Sequence, residues 1–492
     1  MANHSSISRL ITLWTLLLFP AFSHGQDQPS IVLIFADDLG YGDVSFCGSE
    51  LISTPNIDAL ADNGVRLTQG YVSHPVCSPS RAGLLTGRHQ QRHGWEFNPM
   101  GRDVDNGMSV EERTFADELN AAGYATGMVG KWHLGYQKPH HPLSRGFDEY
   151  FGVLAGGSIF IDPAAEGVEA VGRQGATRSS RNGVYRGFEE VIVEQYLTDV
   201  FTDEAVDFID RHQDDPFFLY LSHTTPHTPL QATQQYLKKY AHIKDKGQRI
   251  YAAMVDSLDE SVRRVVEKLK AIDKYENTMI VFLSDNGCAG YVNGACTNSP
   301  FAGFKRYHQE GGIHVPFVVS WPAGLPKGKS FDHPAMSLDL LATFTAAAGK
   351  PVTTEDSVNL LPFLSGDTVE APHEYLYWRA GPTKAIRGAR WKMIKYNKTD
   401  YRPEDLSLSG SRIAPPDEGW PTDSPLGQVT LLYDINADPG ETTNLAKDNP
   451  DVVELLSAEY EAWARTLQAE PILSPMRSTI ANMHGEWVQL FF

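Results

Sequence analysis

Two nearly continuous apolar runs, Ser30–Ala36 and 216–221, do most to limit what this chain can fold into. Neither alternates apolar with polar residues, so each reads as a strand buried on both faces, the kind found inside a parallel sheet. The segments 124–129, after the break at Gly123, and 279–283 read as strands as well. Each of the four runs straight into polar or charged residues: Asp37-Asp38, Gly130-Lys131-Trp132-His133, Ser222-His223, and Ser284-Asp285-Asn286-Gly287. Open α/β sheets gather ligands outside the carboxyl ends of their strands. The pattern predicts that these polar groups share one edge.

Helical periodicity separates the strands. Segment 54–64 is opened by Pro55, 115–122 follows, and 251–272 places Ala253, Met254, Leu258, Val262, Val265, Val266 and Leu269 on one stripe. The expectation is an α/β fold: a large, mixed, mostly parallel sheet sandwiched by helices. After a helical stretch at 337–348 the periodicity lapses between Asp356 and Pro372, where a boundary is placed. Segments 375–379, 384–386, 391–395 and 431–435 then read as antiparallel strands, and 452–467 as a closing helix with Leu455, Leu456, Trp463 and Leu467 inward. The predicted organisation is a leader at 1–25, a catalytic domain at 26–365, and a smaller α+β domain on an antiparallel sheet at 366–492.

The acidic strand ends carry a chemical implication. Asp37 and Asp38 repel one another unless a cation lies between them; a solvated turn is the alternative. Asp285 and Asn286 form a second such end, for which a tight turn is the alternative. Together the two ends supply the several oxygen ligands that a hard cation such as Ca²⁺ needs.

Residues 77–88 read Cys-Ser-Pro-Ser-Arg-Ala-Gly-Leu-Leu-Thr-Gly-Arg. Pro79 sits where a missing N–H costs nothing at a helix start, so Cys77 belongs at a helix N-terminus, which favours anions, with the Arg81 guanidinium one turn in. On this view the stretch pairs a sulfur nucleophile, or a derivative of it, with an oxyanion site. The alternative is a small buried hydrophobe at a capped helix start.

The whole 77–88 pattern resembles the first signature of the sulfatase family. The segment from Gly123-Tyr124 to Gly130-Lys131-Trp132-His133 resembles the second, and Lys305 with Glu310-Gly311-Gly312 resembles a third element. The resemblance spans nearly the whole chain after the leader and is diffuse beyond about Pro351. It implies an alkaline-phosphatase-like fold, oxidation of Cys77 to Cα-formylglycine by a maturation enzyme, and an aldehyde hydrate as nucleophile on a sulfate ester. It implies one Ca²⁺ held by Asp37, Asp38, Cys77, Asp285 and Asn286. Cys77, Arg81, Lys131, His133, Lys305 and His227, the histidine of Pro-His-X-Pro, are the implied catalytic set. Ser158 is a candidate substrate contact, His223 is read as a structural neighbour, and His314 departs from the usual arginine and is assigned no role.

A formal charge of -19, from 42 Lys+Arg against 61 Asp+Glu, argues against a general nucleic-acid binder. It also requires that an enzyme for an anionic ester concentrate cations in its cleft. Arg9, the apolar run 10–22 and Ser23-His24-Gly25 read as a secretory leader, the run being shorter than the roughly 20 residues of a membrane span. Export to the periplasm or outside, with no membrane span, is therefore expected. Cys288 and Cys296 are close enough to close a small loop; a Cys47–Cys77 bridge is the competing use of the other two cysteines.

The reading is an exported hydrolase of sulfate monoesters of a carbohydrate or an aryl group. Two rivals stand beside it: a phosphate or phosphonate ester hydrolase of the same superfamily, and a non-catalytic binder of sulfated glycans in which Cys77 stays a thiol.

Overall fold

The computed structural model describes residues 28–99, 105–171, 183–406, 411–413, 423–467, 472–473 and 477–492. The expected leader lies outside them. Among the described residues, no helix is long and apolar enough to cross a membrane.

A ten-stranded mixed sheet organises the molecule. At its centre Thr278–Ser284, Ser30–Ala36, Phe217–Ser222 and Ala125–Lys131 lie side by side and parallel, and Glu149–Val153 continues the parallel set. Beyond Thr278–Ser284 come Phe317–Ser320 and Val65–Leu67, each antiparallel to the strand before it, then Lys329–Phe331. At the other edge Val184–Arg186 and Glu189–Val191 pair antiparallel.

Register places the site. Ala36 pairs with Ser284, Phe35 with Ser222, and Gly130 with Ser222, so the central strands end at nearly one level. Asp37, Asp285 and Lys131 therefore emerge together. Gly130 is required there: its φ is 113°, and a Cβ would stand 1.8 Å from the Ser222 carbonyl oxygen.

Side chains of Ser30–Ala36 alternate between two cores. Ile31, Leu33 and Phe35 join one with Leu84 and Leu85 of the helix Cys77–Thr86, Phe115 and Phe344. Val32, Ile34 and Ala36 join the other with Phe201 and with Leu258 of the helix Lys246–Ala271. Burying each large apolar side chain contributes about 1.5–3 kcal/mol, which explains a run with no polar face.

A four-stranded antiparallel sheet follows: Leu376–Ala380, Thr383–Arg387, Trp391–Asn397 and Gln428–Asp434. The helix Pro450–Ala464 lies on it through Leu456, Tyr460 and Trp463. Leu455, expected to face inward, is 53% exposed, because the face set by 456, 460 and 463 turns its neighbour about 100° away. That helix does not close the fold. The strands Arg477–Met483 and Glu486–Phe491 follow it in the chain as a hairpin the sequence reading lacked, and Arg412–Ile413 pairs with the first of them. The segment 65–72 is divided between two sheets. Thr68 and Gln69 bond Asp332, and Gly70–Tyr71 turns off to pair with Ala335–Met336.

Candidate active site

Cys77 is the first residue of the helix Cys77–Thr86, after extended Val76. It is 2% exposed, not open on a cleft surface. Its sulfur lies 3.7 Å from Asp37 Oδ1, 3.8 Å from Asp38 Oδ1 and 2.9 Å from Lys305 Nζ. Burial pushes the thiol up to about 12 despite Lys131 and Lys305. Sulfur here is therefore protonated at neutral pH and a poor nucleophile. Cys47 is also a free thiol, so no Cys47–Cys77 bridge forms, while Cys288 and Cys296 are joined in a disulfide.

The acidic residues converge as the strand ends predict. Lys131 Nζ donates to both Asp37 oxygens, at 2.9 and 2.8 Å. Lys305 Nζ donates to Asp38 Oδ1 at 2.6 Å, and Asn286 Nδ2 donates to the same oxygen at 2.8 Å. The Asp38 backbone N–H donates to Asp285 Oδ1, and Asp285 Oδ2 takes two bonds from Arg81, at 3.0 and 2.7 Å. Burial pushes Asp37 up to about 7. It also opposes charge on Asp38 and Asp285, yet Lys305 and His227 at the first, and Arg81 and Lys131 at the second, hold both below the usual carboxylate range.

This donor set suits a hard cation. Three carboxylates meet beside Asn286 Oδ1, which is buried with no hydrogen-bond partner. An orphaned acceptor among carboxylate oxygens is what an oxygen-seeking ion would satisfy. Asp37, Asp38, Cys77 and His227 also bring one potential ligand atom each within 4.8 Å of one another.

His227 Nε2 lies 3.6 Å from Asp38 Oδ2, and its Nδ1 donates to the Thr228 carbonyl at 2.7 Å. That bond leaves the Nε2 lone pair facing the acidic cluster. Burial pushes His227 down to about 4 and holds His133 well below its ordinary value, so both rings are neutral. His133 follows Lys131 on the same strand end, in the left-handed region at φ 64°. Segment 156–158 lies against both rings: a Cβ on Gly156 would meet His133 Nε2 at 2.5 Å, and one on Gly157 would meet His227 Nδ1 at 3.3 Å. Ser158, buried, is the next residue. His223 points away, bonded to Ser261 Oγ at 2.9 Å.

The family model described as Sulfatase matches residues 29–350. The chain belongs to the sulfatase family. Human steryl-sulfatase is 29% identical over 96% of this chain and 94% of its own, and mouse N-acetylgalactosamine-6-sulfatase is 31% identical over 87% and 84%. Among solved structures, Ps i-CgsB in complex with k-i-k-neocarrahexaose superposes with a TM-score of 0.77 at 35% identity, covering 91% of this chain and 95% of that one. PsFucS1 sulfatase from Pseudoalteromonas sp. gives 0.71 at 25%, covering 89% and 90%. The protein is accordingly a sulfatase, a hydrolase of sulfate esters, with relatives that include carbohydrate sulfatases.

Several parts of this sulfatase's site have no local sequence signal. The Arg81 fork is committed to Asp285, to Ser222 Oγ at 2.6 Å and to the Lys131 carbonyl at 3.2 Å. Tyr291 donates its hydroxyl to Asp38 Oδ2 at 3.3 Å. The segment carrying Lys305 is tied to the antiparallel sheet: Tyr396 accepts from the His308 N–H at 2.9 Å, and Lys392 bridges Glu310 and Glu441 at 2.8 and 3.0 Å, all buried. His314, given no role from sequence, bonds Glu310 through Nδ1 at 2.9 Å. Only the position of Glu310 beside Gly311-Gly312 hinted at any of this.

Proposed function

We propose that this sulfatase is an exported enzyme that hydrolyses sulfate esters of a carbohydrate, with residue 77 oxidised to formylglycine by a maturation enzyme and one Ca²⁺ held by Asp37, Asp38, Asp285, Asn286 and residue 77. The observation that carries this is the buried sulfur of Cys77. It stands between Asp37, Asp38 and Lys305, where burial disfavours a thiolate and where two carboxylates and an ammonium lie within reach of the group at position 77. When present, the formylglycine hydrate supplies an oxygen nucleophile, and Ca²⁺ supplies charge for the sulfuryl oxygens.

The chain's own residues divide the remaining work. Lys131 and Lys305 bring the cations that a globally acidic protein needs around an anionic ester. Arg81 fixes Asp285 by a two-bond fork and so orients the carboxylate beside residue 77. Lys305, held charged beside Asp38, or His227, once its Nε2 has taken up a proton, passes a proton to the departing alcohol. His133, neutral and on the same strand end as Lys131, takes the proton released from residue 77. Ser158, behind Gly157, is a substrate contact.

Export is supported by the basic and apolar start of the sequence and by the Cys288–Cys296 disulfide, which suits an oxidising compartment. The division into 26–365 and 366–492 is part of the same proposal. A carbohydrate substrate is supported by N-acetylgalactosamine-6-sulfatase and by the neocarrahexaose complex among the similar proteins.

Mass spectrometry of the residue 77 peptide from the native host, with sulfate release measured on defined sulfated sugars and aryl sulfates, tests the reading. An aldehyde at position 77 and release from at least one sugar are expected. An unmodified thiol in fully active protein overturns the formylglycine part, and activity confined to aryl sulfates overturns the carbohydrate part.

A further inference from the structure

Arg306 follows Lys305 directly, and its backbone stands in the left-handed region at φ 84°. L residues with long side chains avoid that conformation, and positions that keep it gather where a side chain must be aimed at a ligand. The Arg306 N–H donates to the Pro75 carbonyl at 2.8 Å, which anchors the twist two residues ahead of Cys77.

The side chain is braced on two rings. Its guanidinium carbon lies over Phe492, 4.0 Å from the centroid, and over Tyr291 at 5.0 Å, and the Tyr291 hydroxyl reaches Asp38. Ring faces against a guanidinium hold its plane and leave its N–H edge directed sideways. Arg306 and Tyr291 are both half-buried at the margin of the site. On the other side of Lys305, Phe304 is 38% exposed, an aromatic surface at the same margin. Arg477, whose carbonyl accepts from the Phe492 N–H, adds a second guanidinium to the field at Arg306. In a chain of net charge -19, Arg306 directly follows Lys305, which with Lys131 already faces the acidic centre.

We propose that Arg306, braced on Tyr291 and Phe492, binds a second anionic group of the substrate, a sulfate or carboxylate carried on the sugar beyond the ester that is cleaved. The inference rests on the carbohydrate reading above and narrows it to glycans with a second anion near the scissile sulfate. A planar fork takes either oxyanion through two parallel bonds, a geometry that lysine does not offer.

The test uses the matured, Ca²⁺-loaded enzyme and competition against hydrolysis of 4-nitrophenyl sulfate. The competitors are a monosulfated disaccharide, its disulfated counterpart, and a monosulfated disaccharide containing a uronate; the last two separate sulfate from carboxylate as the second anion. Wild type is expected to favour one doubly charged sugar at least tenfold over the singly charged one. Arg306→Gln and Arg306→Gly are each expected to remove most of that preference and to flatten its dependence on salt. Arg306→Gly, which relieves the backbone, reports on folding through its melting temperature and is expected to melt no lower than Arg306→Gln. A wild type indifferent to the second anion, variants that keep the preference, or equal weakening of all three sugars overturns the proposal and leaves sulfate hydrolysis standing. A wild type that cleaves the aryl sulfate yet binds none of the sugars overturns the carbohydrate reading beneath it.

Discussion

Lys305 Nζ lies 2.9 Å from the Cys77 sulfur and 2.6 Å from Asp38 Oδ1, so one buried ammonium links the head of a helix to the acidic end of a strand. Burial disfavours its charge, but Asp38 and Cys77 outweigh that and hold it well above the usual lysine range. Under the proposed function it is a fixed cation for the anionic ester.

Lys305→Ala should lower kcat/KM for sulfate release at least ~100-fold, about 3 kcal/mol of transition-state stabilisation. Cys77→Ala should abolish turnover and leave the circular dichroism spectrum unchanged. Steady-state kinetics on an aryl sulfate checks both, and a Lys305→Ala enzyme within threefold of wild type would refute the assignment.

Binding of Ca²⁺ should stabilise the protein, since ions that bind only the folded state add about 2.7 kcal/mol at a hundredfold excess over Kd. Scanning calorimetry with and without chelator reads the shift. Asp38→Asn and Asp285→Ala should each lose most of it; a shift that survives in both variants places the ion elsewhere.

Lys392 is fully buried between Glu310 and Glu441. Lys392→Met strands two buried carboxylates and should cost about 3–5 kcal/mol in urea unfolding. Adding Glu310→Gln and Glu441→Gln to it should recover much of the loss, because the uncompensated charge is gone. A triple variant no more stable than the single one would assign the cost to packing.

Asp43 gives a stability signal with a definite sign. Burial pushes it up to about 7 from an ordinary 3.8, against bonds from the Tyr251 hydroxyl and the Thr297 N–H. Between those values the folded state keeps a proton that the unfolded state has lost. The contribution is therefore complete below about pH 4 and lost as pH rises through 7, with an upper bound of about 4 kcal/mol. Denaturant unfolding at pH 5 and pH 8 should show a smaller fall for Asp43→Asn than for wild type; equal falls would refute it.

Much of the architecture was legible because it is local. Ser30–Ala36 has no polar face, so it had to be covered on both sides, and the two cores that receive its alternate residues follow from that. The hairpin Arg477–Met483 and Glu486–Phe491 was not legible: it is a marginal pair held by neighbours distant in sequence, and its own run carries polar residues on both faces.

For the site, the sequence by itself determined which groups stand at strand ends and that Cys77 heads a helix, because burial periodicity and helix-start chemistry act within a few residues. Tertiary structure alone decided the pairings. Arg81 turned to Asp285, Lys131 to Asp37, Lys305 to Asp38, and Lys392 came across from another sheet to Glu310. Those choices depend on the spatial order and register of strands far apart in the chain, and a charged side chain carries no local mark of which opposite charge it will meet once water is excluded.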